Sequence, residues 1–252
     1  MTVEIIPIPG LPEVKAGDDV AALIAAAARR AQVPLRDGDI LVVTQKIVSK
    51  AEGRTVDLRT VEPSPLARHI AESGQKDPRQ VEVVLRESAR IVRMDISRGV
   101  IIAETRHGFI CANAGVDASN VPGETMVTLL PVDPDASARG IREGLRRALG
   151  ADLAVIISDT FGRPWRDGLV DVAIGVAGMD AVLDLRGQSD TAGKGLKATV
   201  VAVADELCSA ANLVMGKLAR VPAGVVSGYP YQRGESSARR LVRPPQDDLF
   251  RY

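Results

Sequence analysis

The sequence predicts a mixed α/β or α+β fold that contains both parallel and antiparallel strands. Short apolar runs bounded by turn residues alternate with amphipathic stretches of helical period, a pattern typical of helices packed on a sheet. Between residues 89 and 112, however, three strand-like runs follow one another with only tight turns between them. This antiparallel meander breaks the alternation, so a purely parallel sheet is not expected.

Capping residues mark the expected helices. Asp18 or Asp19 can cap a first helix, and three later starts place Ser or Asp directly before Pro, the usual order at a helix N-terminus: Ser64-Pro65, Asp77-Pro78 and Asp133-Pro134. Apolar residues at helical spacing predict a last helix between Ala204 and Leu218. Gly216 lies inside it, which either a helix end or the close approach of a ligand would explain. Apolar runs predict strands at residues 5–8, 40–43, 89–94, 100–104, 109–112, 153–157, 170–176, 181–185 and 223–227.

The composition excludes several classes of protein. The 252 residues carry 32 basic and 32 acidic side chains and only 3% aromatic residues, so neither a nucleic-acid surface nor a membrane surface is expected. The two cysteines allow no disulfide framework, which favours a reducing compartment. No signal peptide or membrane-spanning run is recognisable. We therefore predict a cytoplasmic protein that forms a single unit over residues 1–252. A division into two subdomains stays open, because no boundary is visible in the composition.

Familiar catalytic motifs fail when they are tested against the sequence. Residues 187–194 resemble a phosphate-binding loop, but one residue too many separates its glycines, and Gly195 stands where Ser or Thr should bind magnesium. The sequence has neither a dinucleotide-binding glycine fingerprint nor a Gly-x-Ser-x-Gly elbow. His69 and His107, the only histidines, are expected to be structural or solvated, and Cys111 and Cys208 are expected in the core.

The pair Asp159-Thr160 is the first candidate for chemistry. It follows the predicted buried strand at residues 153–157 and precedes Arg163 and Arg166. Carboxylate and hydroxyl oxygens suit a hard cation, and guanidinium groups suit phosphate or carboxylate. An ordinary strand end followed by a polar turn would explain the same residues.

Two further clusters supply matching groups. Asp117 and Asn120 follow a predicted strand, so that Asp117 and Asp159 place carboxylates at two strand ends, although an Asx turn alone would explain that spacing. Lys46 and Lys50 are four residues apart and share a face whether the segment is helical or extended. This arrangement suits contact with phosphate, and it also suits a solvated strand end.

Together these segments resemble the coenzyme F420-0:γ-glutamyl ligase family over nearly the whole chain. The resemblance rests on the order and spacing of short motifs: Gly10-Leu11-Pro12, residues 48–53 (VSKAEG), residues 114–117 (AGVD) with Ser119-Asn120, residues 129–131 (LLP) with Asp133-Pro134-Asp135, Asp159-Thr160-Phe161-Gly162-Arg163 with Trp165-Arg166, residues 202–206 (AVADE) and residues 214–217 (VMGK). It implies an unusual fold with mixed and antiparallel sheets, neither Rossmann nor P-loop, in an intertwined homodimer. It also implies a stand-alone ligase without the flavin-binding domain of the two-domain members.

The resemblance implies GTP-dependent addition of L-glutamate to the lactyl carboxylate of F420-0 through an acyl phosphate, and then a second, γ-linked glutamate. It further implies Mg²⁺ or Mn²⁺, as two ions held by Asp117, Asp159 and Thr160, with K⁺ as an optional monovalent ion. The residues that it implies for GTP binding are Leu11, Pro12, Glu13, Val14, Gln45, Lys46, Lys50, Asn120, Val214, Met215, Gly216 and Lys217. Position 217 carries lysine where some archaeal members carry glutamine.

Two roles come from charge and position rather than from the resemblance. Arg163 and Arg166 are predicted to contact the carboxylates of glutamate or F420-0, or the phosphodiester of F420-0. Lys50 and Glu206 are candidate catalytic side chains. Two alternatives stay open: a paralogous ligase for another amino acid or acceptor, and a non-catalytic protein that binds GTP or F420.

Overall fold

The computed structural model describes residues 2–119, 123 and 125–249. In these ranges the chain forms six α-helices, α1 (Val20–Arg30), α2 (Gln45–Ala51), α3 (Pro65–Gly74), α4 (Pro78–Glu87), α5 (Pro134–Leu149) and α6 (Val203–Met215). It also forms twelve strands, β1 (Glu4–Pro7), β2 (Ile40–Thr44), β3 (Thr55–Asp57), β4 (Ser88–Asp95), β5 (Val100–Thr105), β6 (Ile110–Ala112), β7 (Met126–Thr128), β8 (Ala154–Arg163), β9 (Arg166–Ala177), β10 (Leu183–Asp184), β11 (Val200–Val201) and β12 (Ala223–Ser227). The predicted mixed α/β class is confirmed.

A five-stranded sheet in the order β1-β12-β2-β8-β9 forms the centre of the molecule. The pair β2–β8 is parallel, and the other three pairs are antiparallel. Residues 40–43 and 154–157 of the parallel pair are fully buried. Because burying a Val, Leu or Ile side chain is worth about 1.5–3 kcal/mol, these two apolar runs hold the sheet in the core.

A second hydrophobic cluster lies beside the antiparallel sheet β4-β5-β6. It includes Ile70 of α3, Val81 of α4 and Ile101 of β5, all buried. The meander predicted between residues 89 and 112 is thereby confirmed. The single unit over residues 1–252, with or without two subdomains, stays a prediction.

The helix starts expected from capping residues are also confirmed. Asp19, Ser64, Asp77 and Asp133 each accept a hydrogen bond from a backbone amide in the first turn of the helix that follows. These caps satisfy amides that have no partner within their own helix. In the described part of the chain, no helix combines the length and the apolar character needed to cross a membrane.

The prediction that Asp159-Thr160 stands at the end of a strand is wrong. Strand β8 continues through both residues to Arg163, because β9 pairs with it along a long antiparallel ladder. In that ladder Asp159 lies opposite Val172 and Thr160 lies opposite Asp171. The strand therefore ends at Arg163, before a hairpin turn and six residues after the end of the apolar run at residue 157.

The last helix is shorter than its apolar pattern predicts. Helix α6 ends at Met215, and Gly216 follows as its C-cap with a φ of 59°. A left-handed backbone favours glycine, so a helix end explains Gly216 without a ligand. Leu218 lies beyond the helix and is 93% exposed, which means that it is not part of the buried stripe.

Candidate functional site

The parallel pair β2–β8 places Lys46 next to Asp159. Thr44, the last residue of β2, lies opposite Ser158 of β8. Beyond this point β2 turns into helix α2, which begins at Gln45, while β8 continues with Asp159. The start of the helix and the acidic part of the strand are therefore neighbours, although they lie more than a hundred residues apart in sequence.

Asp117 reaches the same region through a tight turn. Asn113, Ala114 and Gly115 have φ values of 52°, 51° and 75°, so three successive residues are left-handed. A Cβ atom on Gly115 would lie 2.6 Å from Leu130 Cγ, which leaves no space for a side chain. After the turn, the backbone of Asp117 exchanges two hydrogen bonds with Thr128, of 3.0 and 2.8 Å, and these fix the direction of its side chain.

Lys46, Asp117 and Ser119 form a hydrogen-bonded cluster. Lys46 Nζ lies 2.8 Å from Asp117 Oδ2 and donates to Ser119 Oγ at 2.6 Å. Asp117 also accepts from the Ser119 amide at 2.7 Å. Burial acts to raise the pKa of Asp117, but the bonds from Lys46 and Ser119 outweigh it and lower the pKa. Asp117 is thus held as a carboxylate beside a cation.

The pKa of Asp159 is shifted in the opposite direction. Burial raises its pKa to about 7, and the nearby charges of Asp117 and Asp171 add to the effect, while the Thr160 amide and Lys46 oppose it. The carboxylates of Asp117 and Asp171 and the ammonium group of Lys46 therefore all lie close enough to Asp159 to act on its pKa. An added cation would favour the ionised form of Asp159, and hard oxygen donors are the ligands that Mg²⁺ and Mn²⁺ prefer.

Thr160 belongs to a second set of contacts. Its hydroxyl donates to Asp171 Oδ1 at 2.8 Å, and Ser158 Oγ lies 3.4 Å from Asp171 Oδ2. Burial raises the pKa of Asp171, which the two hydroxyl groups and the positive charge of Lys217 partly offset. Because successive side chains of a strand point to opposite faces, Asp159 and Thr160 are expected to serve different sides of β8.

Comparison with known proteins identifies the family of the chain. Residues 10–228 match the F420-0:gamma-glutamyl ligase family. The chain belongs to this family. It is 49% identical to the coenzyme F420:L-glutamate ligase of Methanothermobacter thermautotrophicus over 100% of both chains. It is 47% identical to the ligase of the same name from Methanopyrus kandleri, over 99% of this chain and 98% of that one. The corresponding ligase of Haloarcula marismortui is 41% identical, over 98% and 95%.

Several residues implied for GTP binding in this ligase family lie around the cluster. Lys50 Nζ pairs with Glu13 Oε1 at 2.5 Å, which ties the loop of residues 11–14 to helix α2. Gln45 is 2% exposed and accepts from Ser49 Oγ at 2.7 Å. Gln45 Nε2 has no hydrogen-bond partner among the described residues.

Some other residues implied for GTP binding have side chains that are less accessible to a ligand. The side chains of Val14 and Met215 are buried, so these residues could reach GTP only through their backbone. Val214 is half-buried, whereas Gly216 and Lys217 are exposed after helix α6. Asn120 lies outside the described residues.

The structure does not bring Arg163, Arg166 and Glu206 into the cluster. The two arginines face each other at the exposed end of the β8–β9 hairpin, and Arg163 donates to the Asp167 carbonyl at 3.2 Å. Four residues of strand separate Arg163 from Asp159, which is about 13 Å. Glu206 is exposed in the first turn of α6.

The donor set fits divalent ions only if substrate oxygens contribute. In the described ranges, no group of three or more His, Cys, Asp and Glu side chains is arranged to hold a metal ion. Asp117, Asp159 and Thr160 nevertheless offer hard oxygen donors, and Mg²⁺ in nucleotide sites commonly takes one or two carboxylates, with phosphate and water completing its shell. The residues therefore suit a metal–nucleotide complex better than a metal ion alone.

Sequence reasoning gave no role to Ser119 and missed Asp171. Ser119 belongs to the recognised motif, but its contact with Lys46 depends on the fold of two distant segments. Asp171 is a single acid between Val170 and Val172 in the strand predicted at residues 170–176, and nothing in that run indicated a site. The pairing of β8 with β9 would have placed it opposite Thr160 and marked it as a neighbour of the site.

Proposed function

We propose that this chain catalyses the GTP-dependent addition of L-glutamate to coenzyme F420-0, first at the lactyl carboxylate and then through a γ-linked glutamate. The observation that carries the proposal is its similarity over the full length to proteins named coenzyme F420:L-glutamate ligase. The cluster of Lys46, Asp117 and Asp159 supports it, because phosphoryl transfer needs cations and oxygen ligands around a triphosphate.

The proposed reaction has two chemical steps. An oxygen of the F420-0 carboxylate attacks the γ-phosphorus of GTP, so that a C–O–P linkage forms and GDP leaves. The glutamate amine then attacks the activated carbonyl carbon, an amide bond forms, and phosphate leaves with the shared oxygen. Each glutamate added therefore converts one GTP into GDP and phosphate and releases one proton.

The residues of the chain take distinct parts in this proposal. Lys46 and Lys50 bind phosphate oxygens and offset the charge that develops on the γ-phosphoryl group. Asp117, Asp159 and Thr160 would hold two divalent ions, Mg²⁺ or Mn²⁺, and the loop of residues 11–14 contacts GTP. When bound, these ions screen the triphosphate and align it for in-line transfer. K⁺ is an optional further ion of the site.

The acceptor and the assembly complete the proposal. Arg163 and Arg166 bind the carboxylates or the phosphodiester of the acceptor, for which a guanidinium fork is well suited. Lys50 and Glu206 remain candidates for the proton transfers of the second step. We propose a homodimer in the cytoplasm, where GTP and free glutamate are at hand.

Mass spectrometry of the products tests the function directly. The purified chain is incubated with F420-0, GTP, L-glutamate and Mn²⁺, and we expect F420 species heavier by one or two glutamyl units. Parallel reactions replace GTP with ATP, replace glutamate with other amino acids, or omit Mn²⁺. An F420-0 that gains no glutamyl unit would contradict the proposal, and a gain with another amino acid would identify a paralogous ligase.

Isotope transfer tests the acyl phosphate separately. F420-0 labelled with ¹⁸O in its lactyl carboxylate should transfer one ¹⁸O to inorganic phosphate when the first glutamate is added, because the shared oxygen leaves with the phosphate. The second, γ-linked glutamate should transfer none, because its acceptor is the unlabelled γ-carboxylate of the first glutamate. Unlabelled phosphate from a reaction that still forms the glutamyl product would reject this intermediate while leaving the ligase activity intact.

A further inference from the structure

Asp171 is a buried carboxylate in the middle of the β8–β9 ladder. It is 3% exposed and lies directly opposite Thr160. Aspartate is rarely buried to this degree unless its oxygens are paired. Here Oδ1 accepts the hydroxyl of Thr160 at 2.8 Å, and Oδ2 faces the hydroxyl of Ser158 at 3.4 Å.

The position of Asp171 is fixed from two elements. Strand β8 supplies Thr160 and Ser158, whose hydroxyl groups face its two carboxylate oxygens. From helix α6, Ser209 Oγ donates to the Asp171 backbone carbonyl at 2.9 Å. Asp171 is thus held through both its side chain and its backbone. Its fixed carboxylate can therefore determine which way the hydroxyl protons of Thr160 and Ser158 point.

We propose that Asp171 is a positioning residue that orients the hydroxyl group of Thr160 for metal binding. A threonine hydroxyl has one proton and two lone pairs. Because its proton is directed at Asp171 Oδ1, the lone pairs point elsewhere, and Oγ1 meets any further group as an acceptor. A cation needs such an acceptor, whereas a freely rotating hydroxyl would spend part of its time with its proton toward the ion.

The burial of Asp171 favours this indirect role over direct ligation. A carboxylate whose oxygens are directed at Thr160 and Ser158 and that is almost fully covered has little surface left for an ion. Polar partners of metal ligands commonly tune affinity, and their removal typically lowers it about 10–100-fold. The inference rests on the metal role proposed above for Thr160.

The test measures Mn²⁺ binding by the whole purified chain in the presence of GTP, from the electron paramagnetic resonance signal of the unbound ion, with Mn²⁺ and GTP without protein as the blank. Four variants are compared with the wild type: D171A, D171N, T160V and the double variant D171A/T160V. We expect D171A and T160V each to weaken Mn²⁺ binding about 10-fold. D171N keeps an acceptor oxygen opposite Thr160 and should stay within about threefold of the wild type.

The double variant shows whether Asp171 acts through Thr160. If it does, D171A adds no further loss once the hydroxyl has been removed by T160V. D205N is the matched control, because Asp205 is another acid at the β9–α6 interface that instead accepts the Ala173 amide at 2.9 Å. Its Mn²⁺ affinity should equal that of the wild type.

Several outcomes would overturn the inference. If D171N bound Mn²⁺ as weakly as D171A, the charge of Asp171 would act on the ion directly. If the loss of Mn²⁺ affinity in the double variant equalled the product of the two single losses, the two residues would act independently. If D171A fails to fold, D171L replaces it as a variant of similar volume without an acceptor. A wild-type chain that binds no Mn²⁺ in the presence of GTP would reject both this inference and the proposed metal site, whereas glutamyl transfer to F420-0 is measured independently.

Discussion

At the scale of single residues, Lys46 is the centre of the candidate site. Its ammonium group contacts Asp117 and Ser119, and its charge partly offsets the rise in the pKa of Asp159. The K46Q variant should therefore reduce the kcat/KM for GTP in glutamyl transfer by roughly 10²–10³, the usual effect of losing one electrostatic contact to a reacting group.

The control for K46Q is R68Q, which removes a surface charge from α3 that is paired with Glu62. This variant should keep the full rate. Circular dichroism of both variants shows whether the fold is retained. Equal rates for K46Q and the wild type would rule out a phosphate-binding role for Lys46.

Gly115 should matter because of both its backbone and its surroundings. The G115A variant would place a Cβ at φ 75° and 2.6 Å from Leu130 Cγ. We expect a loss of about 2–4 kcal/mol in the free energy of unfolding, since strain and overpacking add. The comparison is G187A, where φ is 83° but the space is open, and only about 1 kcal/mol should be lost. Urea unfolding measures both, and equal losses would refute the packing argument.

Sequence reasoning selected the site residues better than it placed them. Asp117, Asp159 and Lys46 were chosen for their chemistry, and the fold brings them into electrostatic contact. Ser119 and Asp171 received no role, because their partners come from distant segments. A residue type can indicate a metal or phosphate ligand from the sequence alone. A hydrogen bond between two distant segments can be predicted only when their relative positions in the fold are known.

At the scale of elements, helix α3 is tied to α4 by a carboxylate. Glu82 Oε2 accepts the backbone amide of Ser64, the N-cap of α3, at 2.9 Å. The bonds from Ser64, with a further contribution from Arg86, lower the pKa of Glu82 to about 2. A lowered pKa stabilises the folded chain above the unfolded value of 4.5, and this stability is lost as the pH falls toward 2.

The E82Q variant tests this pH dependence. Near pH 7 it should be less stable than the wild type by about 1 kcal/mol, or roughly 2–4 °C in Tm, because a charged hydrogen bond is lost. The difference should shrink between pH 4.5 and pH 2, where the wild-type carboxylate is protonated too. Thermal unfolding at several pH values measures it, and a difference that stays constant with pH would contradict the assignment.

Substitutions at the end of the β8–β9 hairpin should weaken the binding of F420-0 or glutamate rather than the binding of GTP. Arg163 and Arg166 are exposed there, well away from Lys46 and Asp159. We expect R163A and R166A each to raise the KM for F420-0 or for glutamate about tenfold while the KM for GTP changes little. R186A, which removes an exposed arginine paired with Asp184, is the control. Unchanged KM values for both acceptor and amino acid would remove the arginines from the substrate site.

Local signals predicted every helix described above except α2, which the sequence left open between helical and extended, whereas sheet boundaries needed the tertiary structure. Capping residues act within one turn, so Ser64, Asp77 and Asp133 could be recognised directly. Strand β8 extends past its apolar run because β9 pairs with it, and the sequence of β8 alone does not indicate that pairing. The short strands β3, β7 and β11 have only two or three residues each, too few to show a period.

At the scale of the whole molecule, we predict that the chain assembles with a second copy. Trp165 and Leu169 are 79% and 59% exposed on the hairpin, and apolar side chains at such a position are commonly covered by a partner. Light scattering should give a mass of about twice the 26.7 kDa of one chain. Quenching of the only tryptophan by acrylamide should increase as the protein is diluted. A monomeric mass at micromolar concentration would contradict the prediction.

The order of strands in the central sheet also constrains how the chain can be made. Strand β1 pairs with β12, and β2 lies between β12 and β8, so the first strands find their partners only after most of the chain has left the ribosome. Until then, the apolar edges of β1 and β2 are open to pairing with other chains. Slow or crowded synthesis should therefore favour aggregation of this protein, and expression at lower temperature or with a chaperone that shields nascent chains should raise the soluble yield.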